Sequence, residues 1–349
     1  MLVDCDVHNL VSSPFDLLPH LPAYFAEQVK RHGLMLPGSS HDSPTVFLRA
    51  DARPPGGREP GTDAKFTAAN HLDRYGIDIG ILTGSSVVQV SAHPNADYGN
   101  AIASAYNDWT QAAWLDRDPR YRGSIIVNHN DPEGAAAEIR RKAADRRFVQ
   151  VVMASASPVP LGQRKFHPIY AAAAEHGLPV ALHFGAEGCG INGPASVAGH
   201  PSRYLEWHNI IPTHYQSQLN SMICEGVFEK FPAFKLALIE GGLGWVPHLL
   251  WRMDKNFKGL RSEAPWLRKL PSEYFFEHVR VTTQPIEEPE NNEHLAMVLE
   301  ALHAERTVMF ASDYPHWDFD APDGTLTWLP KELRARIMGG TAAELYRLN

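Results

Sequence analysis

Cysteine is scarce and scattered. Cys5, Cys189 and Cys224 are the only three in 349 residues. They are odd in number and far apart, which excludes a disulfide framework or a zinc ribbon and suits a reducing cytosol. No basic block interrupts a net charge of −8, so nucleic acid is not expected as a partner. An anionic small molecule remains possible, because a local site can oppose the global sign. No apolar run approaches the roughly 20 residues of a membrane span, and the first residues lack the basic and apolar segments of a secretory signal. A cytoplasmic protein with no membrane or nucleic-acid partner is expected. No G-x-G-x-x-G follows the first apolar segment, which removes the commonest dinucleotide-binding sheet, and no fixed-period repeat is present.

What is present is a globular composition, 44% hydrophobic and 21% charged, able to bury a large core. Short β-rich runs recur at 2–8, 77–83, 122–128, 148–154, 178–184, 235–241, 279–284 and 307–313. Several are continuously apolar, as parallel strands covered on both faces require. Helical signals separate them. Asp131-Pro132-Glu133 reads as an N-cap, a first-turn proline and a first-turn acid. His167-Pro168 opens a helix that stops at Gly177. Tyr98, Ile102, Ala105 and Trp109 line another, and Leu219, Ile223, Val227 and Phe231 a fourth. Eight strands alternating with helices predict an α/β chain folded as a (β/α)8 TIM barrel, a single domain over 1–349. Two long connections, 33–66 and 185–213, are expected to be loop insertions at the mouth, with 33–66 lid-like.

The polar residues fall at strand ends. In VDCDVHN, residues 3–9, alternation puts Asp4, Asp6 and His8 on one face. Asp6 and His8 end the first strand, His183 the fifth, Glu240 the sixth and Asp313 the eighth. Each alone has an ordinary explanation: a hydrogen-bonded core histidine, a turn-capping aspartate, a solvated glutamate. Together, the C-terminal ends of barrel strands bring two imidazoles and three carboxylates to one mouth, and burial there demands pairing or a metal. Asp4 lies roughly 6–7 Å further down the strand and reads as a buried support.

At this point the chain resembles a known family. D-x-H on the first strand, PVALHFG, ALIEGGLGWVPHLL, FASDYPHWD and the terminal GGTAAELYRL are similar to amidohydrolase family 2 of the amidohydrolase superfamily, the branch typified by aminocarboxymuconate-semialdehyde and γ-resorcylate decarboxylases. The resemblance implies a distorted (β/α)8 barrel and one divalent metal ion, Zn²⁺ ahead of Mn²⁺, held by Asp6, His8, His183 and Asp313. It implies proton transfer by Asp313, with Glu240 and His183 in the catalytic group and His316 near the substrate. Two features depart from the family pattern: Asp6 stands where histidine is commoner, and Glu240 where histidine is frequent. Both add anionic oxygen, which widens the metal choice toward harder ions.

Such a site could release CO2 from a small cyclic or aromatic carboxylic acid. It could equally hydrolyse an amide, ester, lactone or C–C bond. The resemblance favours decarboxylation, whereas strand-end spacing does not separate the two, and a non-catalytic barrel is the reading from another class. Arg49, after Val46-Phe47-Leu48, is the candidate partner for a substrate carboxylate. Trp245 is the candidate pocket wall. Relatives of this kind imply a homodimer, and aromatic residues near Tyr204, Trp207 and Tyr215 could line either an interface or the mouth.

Overall fold

The computed structural model describes residues 1–39, 44 and 46–348. Eight strands, all parallel, pair in chain order: β1 (Val3–Val7), β2 (Ile79–Leu82), β3 (Tyr121–Ile126), β4 (Phe148–Ala154), β5 (Val180–His183), β6 (Leu236–Ile239), β7 (Val279–Thr282) and β8 (Val308–Met309). Both faces of β1 are buried, Val3, Cys5 and Val7 on one and Asp4 and Asp6 on the other. It is therefore a strand covered on both faces, not one with an exposed polar side. The sheet curls until β8 meets β1, where the link is a lone bridge between Val7 and Tyr314 and the bond from Cys5 N–H to the Phe310 carbonyl, 3.1 Å. The result is the expected barrel, nearly closed.

Helices wrap the outside and follow the local signals. Asp131 caps helix Pro132–Lys142 by accepting from the Gly134 N–H at 3.3 Å, and Arg140, Arg141 and Lys142 close it, each charge matched to its end of the helix dipole. Helix His167–His176 stops at Gly177, whose left-handed φ of 64° suits glycine. The expected helix through Leu219 and Phe231 is two: Pro212–Cys224 and Val227–Lys230, broken where Gly226 turns left-handed at φ 72°. Among the described residues no helix is long and apolar enough to cross a membrane.

The two long insertions reach the C-terminal mouth. Of 33–66, residues 40–43 and 45 lie outside the described part, as does Asn349. The stretch 47–49 runs antiparallel against 315–317: Leu48 bridges His316, Arg49 N–H donates to Pro315 at 2.9 Å, and Trp317 N–H to Phe47 at 3.2 Å. The 185–213 connection carries a short helix, Tyr204–His208, whose Tyr204 ring meets Phe47 at 6.2 Å.

Candidate metal and active site

The strand ends converge as the barrel requires. Asp6, His8, His183, Glu240, Asp313 and His316 are all buried. One set of ligand atoms, from Asp6, His8, His183 and Glu240, lies within 4.8 Å of one another, and so does a second from His8, Glu240, Asp313 and His316. Their backbones explain the convergence. Glu240 and Asp313 fall just past β6 and β8 in left-handed conformation, φ 61° and 59°. Such turns cost a non-glycine residue about 1 kcal/mol or more and are characteristic of functional sites. They swing each carboxylate off its strand and over the barrel end.

Both ligand-type histidines are oriented by their far nitrogens. His8 Nδ1 donates to the Gly84 carbonyl at 2.5 Å, and His183 Nδ1 to the Phe184 carbonyl at 2.7 Å. Gly84 reaches that position at φ 84°, where a side chain would be strained. With Nδ1 committed as donor, each Nε2 presents a lone pair to the site. Asp6 is held from the other side by the Thr83 hydroxyl, which donates to its Oδ1.

The electrostatics are those of crowded anions. Burial pushes the Asp6 carboxyl up, but His8 and His183 outweigh it and hold it at about 2. Burial, then Asp313, drives Glu240 well above the carboxylate range. Burial raises Asp313 likewise, against the pull of His8. His183, which burial alone would lower, is raised by Asp6 and Glu240. Burial lowers His316 to about 4, so it is neutral near pH 7; its Nδ1 lies 2.6 Å from Asp313 Oδ1.

The donor set fits a cation. Asp6 Oδ2, His8 Nε2, His183 Nε2, Glu240 Oε2 and His316 Nε2 are buried with no hydrogen-bond partner outside the cluster itself. Buried polar atoms are normally satisfied, and here five that meet nothing but the cluster's own atoms point into one place. Carboxylate oxygens and imidazole nitrogens together suit Zn²⁺ or Mn²⁺.

Above this floor lies a cavity of about 190 Å³. At the ≈10–15 Å³ a water needs, it holds roughly a dozen or more water-sized groups, the scale of a substituted single ring. Phe47, Val88, Phe184, Tyr204 and Trp207 wall it, Ser39, Ser85, Ser86 and Gln89 add neutral polar groups, and no Lys or Arg lines it among the described residues.

Two expected substrate contacts lie elsewhere. Trp245 is packed in the core near Tyr215, its indole N–H donating to the Gly241 carbonyl at 2.8 Å. It braces the turn after Glu240 and does not wall the cavity. Arg49 is engaged by Asp51 through two bonds, 2.9 and 2.7 Å, and its guanidinium lies over Phe319. A carboxylate in its own loop has claimed it, as Glu59 claims Arg53 and Asp63 claims Arg58. Sequence reasoning missed Thr83 and Gln284, whose Nε2 sits 3.4 Å from Asp313 Oδ2. Both end barrel strands in ILTG and VTTQ, so the strand-end rule that selected Asp6 also covers them.

Comparison with known proteins agrees with this architecture. A family profile described as Amidohydrolase matches residues 3–348. A γ-resorcylate decarboxylase from Polaromonas sp. is 24% identical over 302 residues, covering 80% of this chain and 86% of that protein. The crystal structure of a 5-carboxyvanillate decarboxylase from Sphingomonas paucimobilis superposes with a TM-score of 0.67 at 24% identity, over 100% of this chain and 99% of that one. A dihydroxybenzoic acid decarboxylase from Polaromonas sp., solved with bound manganese and 2-nitroresorcinol, gives 0.68 at 18% identity, over 100% and 97%.

Proposed function

The chain belongs to the amidohydrolase family, and from that premise we propose that it is a metal-dependent, non-oxidative decarboxylase of a small aromatic carboxylic acid. Asp6, His8, His183 and Asp313 would hold the ion. The oxygen-rich shell, with Glu240 adding a further carboxylate, favours Mn²⁺ over the Zn²⁺ first expected, in keeping with the manganese of the related structure. When bound, the ion supplies a fixed positive charge that anchors and polarises the substrate's oxygens. With no Lys or Arg on the walls among the described residues, a bound ion would provide the counter-charge for the substrate carboxylate.

The remaining chemistry belongs to the chain. Phe47, Phe184, Tyr204 and Trp207 sandwich the ring and exclude water, which hydrolysis would have to admit. Asp313, whose carboxyl burial raises above its ordinary range, would deliver a proton to the ring carbon that bears the carboxylate. The C–C bond then breaks, its electron pair restores the aromatic ring, and CO2 leaves. Each turnover consumes one proton, which returns to Asp313. His316, neutral and bonded to Asp313 Oδ1, steadies that carboxyl, and Glu240 keeps His183 in place. We propose further that the enzyme works as a cytosolic homodimer, in keeping with its three free cysteines.

The observation that carries this reading is the buried cluster of carboxylates and imidazoles, Asp313 among them, beneath an aromatic-walled cavity. The test incubates Mn²⁺-loaded protein with a panel of hydroxybenzoates and with a panel of lactones and amides. CO2 release from the first panel, lost in Asp313→Asn, supports it. Turnover confined to the second panel overturns it in favour of a hydrolase.

A further inference from the structure

The barrel seam is where sheet pairing runs out. β8 has only two residues, and Asp313 lies beyond its end, with no ladder bond to fix it. The backbone of 310–312 is instead tied piecewise. On the β7 side, Thr283 Oγ1 accepts from the Ala311 N–H at 3.2 Å and donates to the Ala311 carbonyl at 3.3 Å. On the β1 side, backbone bonds hold Phe310 (from Cys5 N–H, 3.1 Å) and Tyr314 (from His8 N–H, 2.8 Å), and between them the partner of Ser312 is the side chain of Asp4.

Asp4 is completely buried, and both of its oxygens are used twice. Oδ1 accepts the backbone N–H of Asp6 at 3.2 Å and that of Ser312 at 2.9 Å. Oδ2 accepts from the Ser312 hydroxyl at 2.5 Å and from His71 Nε2 at 2.7 Å. The Ser312 hydroxyl oxygen also accepts the Tyr314 N–H at 3.2 Å, and the His71 ring stacks on Tyr314 at 4.4 Å. One carboxylate thus grips the N–H of Asp6 itself and the N–H of the residue just before Asp313. Of the N–H groups on either side of Asp313, that of Ser312 bonds to Asp4 and that of Tyr314 to the Ser312 hydroxyl, which Asp4 holds.

A buried carboxylate is a poor choice for stability alone, since well-packed apolar residues of similar volume are often as good or better. Its directional bonds do what apolar packing cannot: they fix a distance between two strands. We propose that Asp4, with Ser312 and His71, is a positioning network that sets the separation of Asp6 and Asp313 across the open seam, and with it the geometry of the metal site. The inference rests on the metal-site assignment above.

The experiment titrates metal-free protein with Mn²⁺ followed by electron paramagnetic resonance, alongside kinetics and thermal unfolding. Ser312→Ala cuts the hydroxyl out of the network while staying small. We expect it to raise the Mn²⁺ Kd about 10–100-fold and to lower kcat at saturating metal by a similar factor, as for partners that orient metal ligands elsewhere, with KM little changed. Asp4→Asn preserves the shape: its oxygen can accept the two backbone N–H groups while its amide faces Ser312 Oγ and His71, whose ring can change tautomer. It should bind Mn²⁺ close to wild type. A Ser312→Ala protein that unfolds at lower temperature but binds Mn²⁺ and turns over like wild type would show a merely structural role and overturn the proposal. So would an Asp4→Asn loss as large as that of Ser312→Ala, which would point to charge in place of geometry. Wild-type protein that takes up no Mn²⁺ overturns the metal assignment itself, a separate result.

Discussion

Adding a divalent ion to the metal-free protein should release protons, and the number follows from the site's geometry. His8 and His183 spend their Nδ1–H groups on carbonyl oxygens, so each Nε2 faces inward as a lone pair. Yet His183 Nε2 lies 2.9 Å from Glu240 Oε2, and His8 Nε2 lies 2.7 Å from Asp313 Oδ1. Lone pairs facing each other at that distance repel, and each contact becomes attractive only when a proton is shared. The metal-free cluster therefore holds about two protons near neutral pH, consistent with the upward displacement of Glu240, Asp313 and His183. These groups bind protons more tightly folded than unfolded. Their stabilisation is complete below their ordinary values and is lost as pH rises through the folded ones. Asp6, held at about 2, acts oppositely: its contribution is present above its ordinary value of 3.8 and is lost as pH falls toward 2. Metal affinity should thus climb with pH, about tenfold or 1.4 kcal/mol per unit for each proton displaced. Calorimetric titration with Mn²⁺ at about pH 7, in buffers of different ionisation enthalpy, counts the protons. About one is released if Asp313 keeps its own for catalysis, and about two if it does not. Glu240→Gln, whose amide can donate to His183 directly, should release about one fewer. A binding heat independent of buffer, or an affinity flat between about pH 6 and 8, would refute this account of the cluster.

Three further outcomes are expected. Thr83→Val removes the hydroxyl that orients Asp6 and should weaken Mn²⁺ binding or kcat about 10–100-fold with little change in unfolding temperature; equilibrium dialysis and steady-state kinetics check it. Arg49→Ala should leave KM for an aromatic acid unchanged, because Asp51 already occupies the guanidinium; a raised KM would restore Arg49 as a substrate contact. A ring bearing a second carboxylate should bind at least about tenfold more weakly than its single-acid counterpart, since among the described residues no Lys or Arg lines the cavity to meet that charge; competition assays read this directly.

The strand-end logic was legible because it needs only local apolar runs and the residue that follows each. Asp6, His8, His183, Glu240 and Asp313 all emerge where those runs place them. Strand lengths were less so. The run 307–313 is apolar enough to read as a full strand, but past Met309 its backbone groups bond to the Ile337 carbonyl and to the side chains of Thr283 and Asp4. Apolar periodicity carries no information about such partners. The helix break at Gly226 was hidden because Val227 and Phe231 continue the apolar spacing across it. Trp245 and Arg49 stand apart from the cavity for a common reason: each has a partner within a few residues, Gly241 and Asp51, that competes with it. Of the aromatic walls, Tyr204 and Trp207 were legible as candidates for the mouth or an interface and do line the cavity, whereas Phe47 joins them only once two long insertions have folded over the mouth.

The backbone pairing of Leu48 with His316 has a consequence for how such enzymes diversify. The insertion that shapes substrate choice is stitched to the segment that carries the histidine bonded to Asp313. Exchanging this insertion for a relative's would therefore not be a modular graft of specificity. Selectivity and chemical competence are inherited together here, and a successful transplant would have to bring its own stretch of the 313–317 segment with it.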